Sequence, residues 1–455
     1  MDRSLRLSRR ALLAGSAAAI GVASMPRLAF ARGRVPLGGK IAMHVPWPIG
    51  AIDPHRVDDI ASAIFGDALF DTLYTRDENG VIVPSLAESE PEPFEGGLRI
   101  VVRSGLRSAH GRPMDARDVA ASIERARSLG ARAWLVDVPT PKVDKERTSL
   151  KLAGKDAARL MRVLASPLTA IVPISFTSDR PDGTGPMRAD RRGDALVLSR
   201  NGNAARGASL LDEITVRAST DVSTSLRSFE NGTDDVGWLG TGYHEPRAGA
   251  RTFELGVAGW AILRTGRDAG TTWDAPGVAQ SICNAIPHAE LSALVIGPAW
   301  TTSGTKGWGG PPCDLFVRDD APWLVELAKT LAGTLSTASH EVTHKPIAAS
   351  ELTQRRASRA YALALDVARP LAHGSLAAFA AFAALATSDS PGTAADALRH
   401  APKVVDTSVR TLTQLMRIGV VGEVRVQGGR IPDLTLPPNA NTPGVDWGAA
   451  SRSRR

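Results

Sequence analysis

Cysteine, lysine and long apolar runs are all scarce in this chain of 455 residues. Its 2 cysteines can build neither a disulfide-dense scaffold nor a zinc site with four thiolate ligands. Lysine supplies only 9 of the 54 basic residues, a skew that reads as genomic composition rather than function. The one apolar run near membrane-spanning length lies at the extreme N-terminus, which argues against an integral membrane protein. The formal net charge of +7 is unevenly spread. Residues 1–31 hold five Arg and one Asp, and residues 451–455 hold three more Arg, so the body between is close to neutral. The basic face that nucleic acid requires is missing. What is present is an apolar fraction of 43%, too high for a disordered chain, over a length that suits two or three domains.

The first thirty residues read as an address. Ser8-Arg9-Arg10-Ala11-Leu12-Leu13 precedes an Ala-rich stretch to Met25, and Ala29-Phe30-Ala31 follows with small residues at the two positions a signal peptidase reads. The paired arginines resemble the twin-arginine signal, which exports proteins already folded. An ordinary secretory signal is the alternative. The mature chain is expected to begin near Arg32 and to work in the periplasm. In that compartment Cys283 and Cys313 are open to two readings, a disulfide or two free thiols, and their spacing does not choose.

Along the body, residues 40–47 read as an opening strand that Asp53-Pro54 breaks, because the proline ring fixes φ and removes a donor. The spacing of Ile64, Phe65, Leu69 and Leu73 predicts a helix over 61–73. Asp77-Glu78-Asn79-Gly80 predicts a turn between two short strands. A strand is expected at 98–103, followed by a helix capped by Asp115 with Asp118 three residues on. Further strands are expected at 196–198, 214–216 and 361–367. Helices are expected at 223–229, at 320–335 and, Ala/Phe-rich and apolar nearly all round, at 371–386. Strands and helices alternate, so the class is α/β.

Ile52-Asp53-Pro54, Leu69-Phe70-Asp71-Thr72-Leu73-Tyr74, Pro84-Ser85-Leu86-Ala87-Glu88-Ser89, and the strand from Leu98 with the following His110-Gly111-Arg112-Pro113 and Asp118-Val119 to Ser122-Ile123-Glu124-Arg125 stand in a set order. In that order they resemble the extracellular solute-binding proteins of family 5, the peptide, nickel and opine binders of ABC importers. Gly183-Thr184-Gly185-Pro186 and the run from Phe229-Glu230-Asn231-Gly232 to Asp235-Val236 extend the likeness across residues 50–236. The resemblance implies an α/β, two-lobe periplasmic-binding-protein fold (class II type) with an inserted subdomain in lobe 1. Lobe 1 would comprise residues 36–53, 181–256 and 406–447, the insertion 54–180, and lobe 2 residues 257–405. It implies a non-enzymatic substrate-binding protein that captures a small ligand, an oligopeptide by first expectation, and delivers it to an ABC transporter permease. No cofactor is implied. A transporter-independent binding or sensor protein on the same fold is an alternative.

The chain departs from the peptide binders in one respect. The Trp-Asp-Pro element that follows a lobe 2 strand in those proteins is missing after 361–367, where Asp366 and Arg369 stand instead. Asp366 and Arg369 are therefore expected near the cleft, with Trp47, Trp238, Tyr243 and Trp260 as aromatic candidates, each open to a core-packing reading. His340-Glu341-Val342-Thr343-His344 matches the H-E-x-x-H zinc-hydrolase pattern, which needs both His one helical turn apart. The β-branched Val342 and Thr343 and the nearby Pro346 favour a strand instead. Gly183-Thr184-Gly185-Pro186 lacks the Lys-Ser/Thr of a phosphate loop.

Overall fold

Alternating apolar residues make β1 (Lys40–Val45) a half-buried strand, with Ile41, Met43 and Val45 pointing into the core. The computed structural model describes residues 36–45, 49–219, 222–238, 248–287, 291, 297–298, 307–372, 374, 376–385, 409 and 412–453. The export signal expected at 1–31 lies outside the described residues. All elements below belong to one unit, Leu37–Arg455.

Chain order runs β2 (Tyr74–Arg76), β3 (Ile82–Pro84), β4 (Glu92–Phe94), β5 (Gly97–Val101), β6 (Lys142–Val143), β7 (Ser149–Ala153), β8 (Met187–Arg192), β9 (Ala195–Arg200), β10 (Glu213–Ala218) and β11 (Val236–Trp238). It continues through β12 (Arg251–Thr265), β13 (Gly297–Pro298), β14 (Cys313–Arg318), β15 (Val342–Ile347), β16 (Leu363–Ala368) and β17 (Ile418–Arg430). The helices are α1 (Ile60–Leu69), α2 (Ala116–Ala126), α3 (Ala157–Leu164), α4 (Val222–Glu230), α5 (Val278–Asn284), α6 (Pro322–Leu335), α7 (Ala349–Ser358) and α8 (Leu376–Leu385).

Among the described residues one mixed, 11-stranded sheet runs in the order β15-β14-β16-β12-β17-β11-β1-β10-β9-β8, with β13 also on β17. β1 lies parallel to β10 and β11, and β14 lies parallel to β15 and β16. The two halves meet at the antiparallel pair β12–β17, whose register shifts between Glu254 and Val257, Val257 and Gly259, and Ala261 and Ile262. Each extra residue bends a strand and deepens its twist, which curls the sheet. A separate sheet of 4 strands, β4-β5-β7-β6, lies within the expected insertion.

Three large apolar cores follow from this topology. One packs α1 against β1 and β8 to β10, with Phe65, Met43 and Trp447 inside. A second sets α6 under β14 and β16, with Leu324, Leu331, Leu315 and Leu365 inside. The third spans the four-stranded sheet, α2 and the Ala/Phe-rich α8, and includes Trp260 of β12. β16 is buried at every position because it lies between β12 and the parallel β14, with both faces covered.

Most expected elements are present, including the Asp77–Gly80 turn and the Asp115–Asp118 capping box at the start of α2. Two helices are shorter than their sequence period. α1 stops at Leu69, where Phe70 turns extended, because Gly183 and Gly185 press against the Leu69 carbonyl and Gly185 N–H donates to it at 3.1 Å. The helix expected from 371 begins at Leu376, and 371–372 are not helical. Local periodicity does not mark the long crossing strands β12 and β17, which the family resemblance implies as a hinge; in β17, Gly419, Gly422, Gly428 and Gly429 obscure the strand pattern.

A Cβ on Gly185 would sit 2.5 Å from the Leu69 carbonyl carbon and 2.7 Å from the Ala68 oxygen, both backbone atoms. Gly185→Ala is expected to lose roughly 1–3 kcal/mol in thermal or urea unfolding. Gly333, exposed in α6 with nothing within 4 Å of its would-be Cβ, is the opposite case. Gly333→Ala is expected to gain about 0.5–1 kcal/mol in the same assay.

Candidate functional site

The stretch after β1, residues 53–59, is held by charge. Proline at 54 and an acid at each end keep it out of regular structure. Asp59 accepts the Asp53 N–H at 2.6 Å and caps α1 by accepting from Ala61 and Ser62 N–H at 3.0 and 3.2 Å. Arg125, in the last turn of α2, donates to both Asp53 oxygens at 2.8 and 2.7 Å. Burial works to raise the Asp53 carboxyl, but Arg125 outweighs it and holds the group below the usual carboxylate range.

His55 is fully buried beside this pair. Its Nε2 lies 2.7 Å from the Ala170 carbonyl and its Nδ1 2.8 Å from Arg125 Nη1. The tautomer that satisfies both contacts donates from Nε2 and accepts at Nδ1. A second proton would have to sit on Nδ1, facing the guanidinium. Burial, and then the charge of Arg125, lower the imidazole to about 4.

Arg369, also buried, donates to the carbonyls of Pro54 and Arg56, and its own N–H donates to the Val57 carbonyl at 2.9 Å. The residues following β16 thus grip the stretch from one side while α2 grips it from the other. Burial pulls the Arg369 guanidinium below its ordinary value, and the Asp59, Asp53 and Asp58 charges oppose that.

Next to this clamp lies a solvent-open cleft. Its walls include Arg56 and Asp58 from the stretch after β1, and Arg127 and Arg132 at the end of α2 and just beyond. Arg264 of β12, Thr353 and Arg356 of α7, and Ala384 and Leu385 of α8 complete the lining. Arg56 grips Asp58 with two bonds of 2.9 Å. Arg356 Nη1 donates to Asp58 at 2.7 Å and to Asp366 at 2.5 Å. Arg264 Nε donates to the same Asp366 oxygen at 3.2 Å. Burial opposes ionisation of Asp58, yet Arg356 and Arg56 hold it well below the carboxylate range.

Of the residues singled out from sequence, Trp47 and Tyr243 lie outside the described residues. Trp238 is described as backbone of β11 only. Trp260 is buried, its ring edge-on to Phe382 of α8 at 5.4 Å between centroids. Asp366 stands behind the cleft wall, and Arg369 is bonded to the neighbouring stretch. The arginines that line the cleft were not singled out, because 45 arginines in the chain hide any five.

The H-E-x-x-H segment is not helical. His340 sits in a turn bridged to Thr337, and β15 follows from Val342, hydrogen-bonded in parallel to β14. Residues four apart on extended backbone are roughly 13 Å apart, too far to share a zinc ion in the protease manner. Among the described residues, no group of three or more His, Cys, Asp or Glu is placed to hold a metal. Cys283 and Cys313 are both free.

Because His55 titrates at about 4 in the fold and near 6.5 in the unfolded chain, the unfolded state takes up its proton first. The His55 contribution should be full above about pH 6.5 and be lost as pH drops towards 4, by up to roughly 3 kcal/mol, while Asp67, pushed up by burial to about 6, works in the opposite sense. Below that range, Asp53 and Asp58, both held low, begin to lose their contributions as well. An NMR titration of the His55 ring from pH 8 to pH 5 checks this; protonation near pH 6.5 would show that His55 is not held neutral.

Residues 81–251 match the family model of the bacterial extracellular solute-binding proteins, family 5 middle region. Over 207 residues the chain is 25% identical to the nickel-binding protein NikA of Staphylococcus aureus, covering 44% of this chain and 41% of that protein. The match thus spans about two-fifths of the length of this curated relative. Solved structures share the whole fold. DppA of Helicobacter pylori, in complex with peptide STSA, matches with a TM-score of 0.67 at 14% identity, covering 92% of this chain and 99% of that one. AgaA of Agrobacterium tumefaciens R10, in complex with agropinic acid, matches with a TM-score of 0.67 at 14% identity and the same coverage. NikA of Staphylococcus aureus, in complex with Ni(L-His)2, matches with a TM-score of 0.64 at 15% identity, covering 91% and 100%. At these identities the likeness establishes the mixed α/β fold with its curled sheet.

Proposed function

We propose that this chain, a family 5 extracellular solute-binding protein by its residues 81–251, is the substrate-binding component of an ABC importer. It captures a small solute between two lobes and performs no chemistry on it. The lobes are those expected from sequence: residues 36–53, 181–256 and 406–447 with the insertion 54–180, against 257–405. It works outside the cytoplasm, in keeping with the export signal read in residues 1–31.

The observation that carries this reading is the Arg356 bridge. One guanidinium in the second half of the chain binds Asp58, from the stretch after β1, and Asp366, from its own half. The cleft walls on either side come from segments far apart in sequence, and the β12–β17 pair is the connection about which they can turn. A solute touching both walls favours the closed arrangement by its differential affinity, and closure is what a permease senses. Asp366 and Arg369 act in this reading by holding other groups: Asp366 orients Arg264 and Arg356, and Arg369 fixes residues 54–57. Trp260 supports the floor beneath α8. Trp47 and Tyr243 are proposed as further cleft aromatics; Trp238 pairs with Gly428, ten residues along β17 from the Ile418 that pairs with Arg264, and is set aside.

Native mass spectrometry of protein purified without denaturation, set against its denatured mass, tests the reading. A retained small solute, with a smaller radius of gyration in X-ray scattering before the solute is stripped than after, is the expected result. A bare chain whose radius is unchanged by any offered peptide, opine or nickel complex would count against capture by closure.

A further inference from the structure

The cleft is not electrically balanced. Five guanidiniums line it, those of Arg56, Arg127, Arg132, Arg264 and Arg356. Against them stand three carboxylates: Asp58 on the wall, Asp366 behind it, and Glu124, whose Oε2 lies 3.4 Å from Arg127 Nε. The neighbouring pairs Arg318–Asp320 and Arg355–Glu351 are balanced within themselves. Two positive charges remain uncompensated. Arg132 and Arg264 keep terminal donors to spare, as Arg56 does at Nη1. Arg132 is exposed and makes no hydrogen bond or ion pair among the described residues. Arg264 is buried and uses Nε on Asp366, while its two terminal nitrogens have no hydrogen bond there. Thr353 and Ser128 on the same walls spend their hydroxyl hydrogens on the Ala349 and Arg125 carbonyls, both at 2.8 Å, and Ala384 and Leu385 add an apolar patch.

Resting on the solute-binding reading, we infer that the cleft selects a small dianionic solute with two carboxylates separated by a short apolar stem. One carboxylate meets the terminal nitrogens of Arg264, the other the guanidinium of Arg132, and the stem lies along Ala384 and Leu385. A planar guanidinium fork matches a carboxylate with two parallel hydrogen bonds, which lysine cannot reproduce. Arg264 is preorganised by Asp366, so little of its freedom remains to be lost on binding. A peptide whose C-terminus is its one carboxylate would leave one of the two guanidiniums unmatched.

The test is isothermal titration of the stripped full chain with linear dicarboxylates from malonate to adipate. Their neutral diamides, inorganic phosphate and a lysine-containing tripeptide serve as comparisons. One member of the dicarboxylate series is expected to bind, its diamide not to bind, and the affinity to fall as salt is raised. Arg132→Gln, at an exposed residue without partners, should leave the melting temperature unchanged and weaken binding about tenfold. Arg264→Lys keeps a cation beside Asp366 and should weaken binding by a similar factor while the chain still folds. Binding of the tripeptide but no dicarboxylate, or affinity unaffected by Arg132→Gln, would overturn the dicarboxylate assignment and leave the binding-protein reading intact. Binding of phosphate alone would also overturn it. Absence of any binding, together with a bare chain in native mass spectrometry, would bring down both readings.

Discussion

The structure around the cleft depends on one constraint: the buried charges of residues 53–59 must be paired by groups from elsewhere. Asp53 is answered by Arg125, the backbone carbonyls of Pro54 and Arg56 by Arg369, and Asp58 by Arg356 together with Arg56 of the stretch itself. Arg125 comes from α2, and Arg356 and Arg369 from the second half of the chain. An isolated buried carboxylate is too costly to tolerate, so each pairing dictates where its partner's helix or strand must lie. The stretch makes almost no regular structure of its own, yet it sets the approach of α2 on one side and of β16 and α7 on the other.

The same pairing gives the cleft its character. Arg356 shares itself between Asp58 and Asp366, so the wall from α7 is tied to the wall after β1 through one charged group. Such a bridge is strong only while water is kept out, and it weakens as its surroundings open. Apolar contact does the complementary work underneath. Trp260 of β12 meets Phe382 of α8 within the core that also holds the insertion. Packing therefore closes the base, charge governs the mouth, and the bulged β12–β17 pair lies between them.

Individual residues show how far sequence reading reaches. The Asp115–Asp118 box, the Asp77–Gly80 turn and the alternation in β1 were legible because each rests on interactions within a few residues. The end of α1 was not: the pattern through Leu73 is sound, and the helix stops at Leu69 because two glycines more than a hundred residues away occupy the space beside it. His340 and His344 carry a zinc-protease spelling, but the ladder to β14 takes His344 into a strand and leaves His340 in the turn before it. Asp366 and Arg369 were picked out by position against a family pattern, and the structure sets both in the wall behind the cleft rather than on its surface. Arg132 and Arg264 carried no local signal at all.

The amino-acid order by itself determined the α/β alternation, the likeness to family 5 and most element positions, since short-range periodicity, capping and turn chemistry are written in neighbouring residues. Tertiary structure alone decided which arginines are spent and which remain unspent. Arg125 and Arg369 are consumed by partners 72 and 313 residues away, while Arg132 has none among the described residues. Charge pairing depends on distance in space and on exclusion of water, and neither is encoded in spacing along the chain.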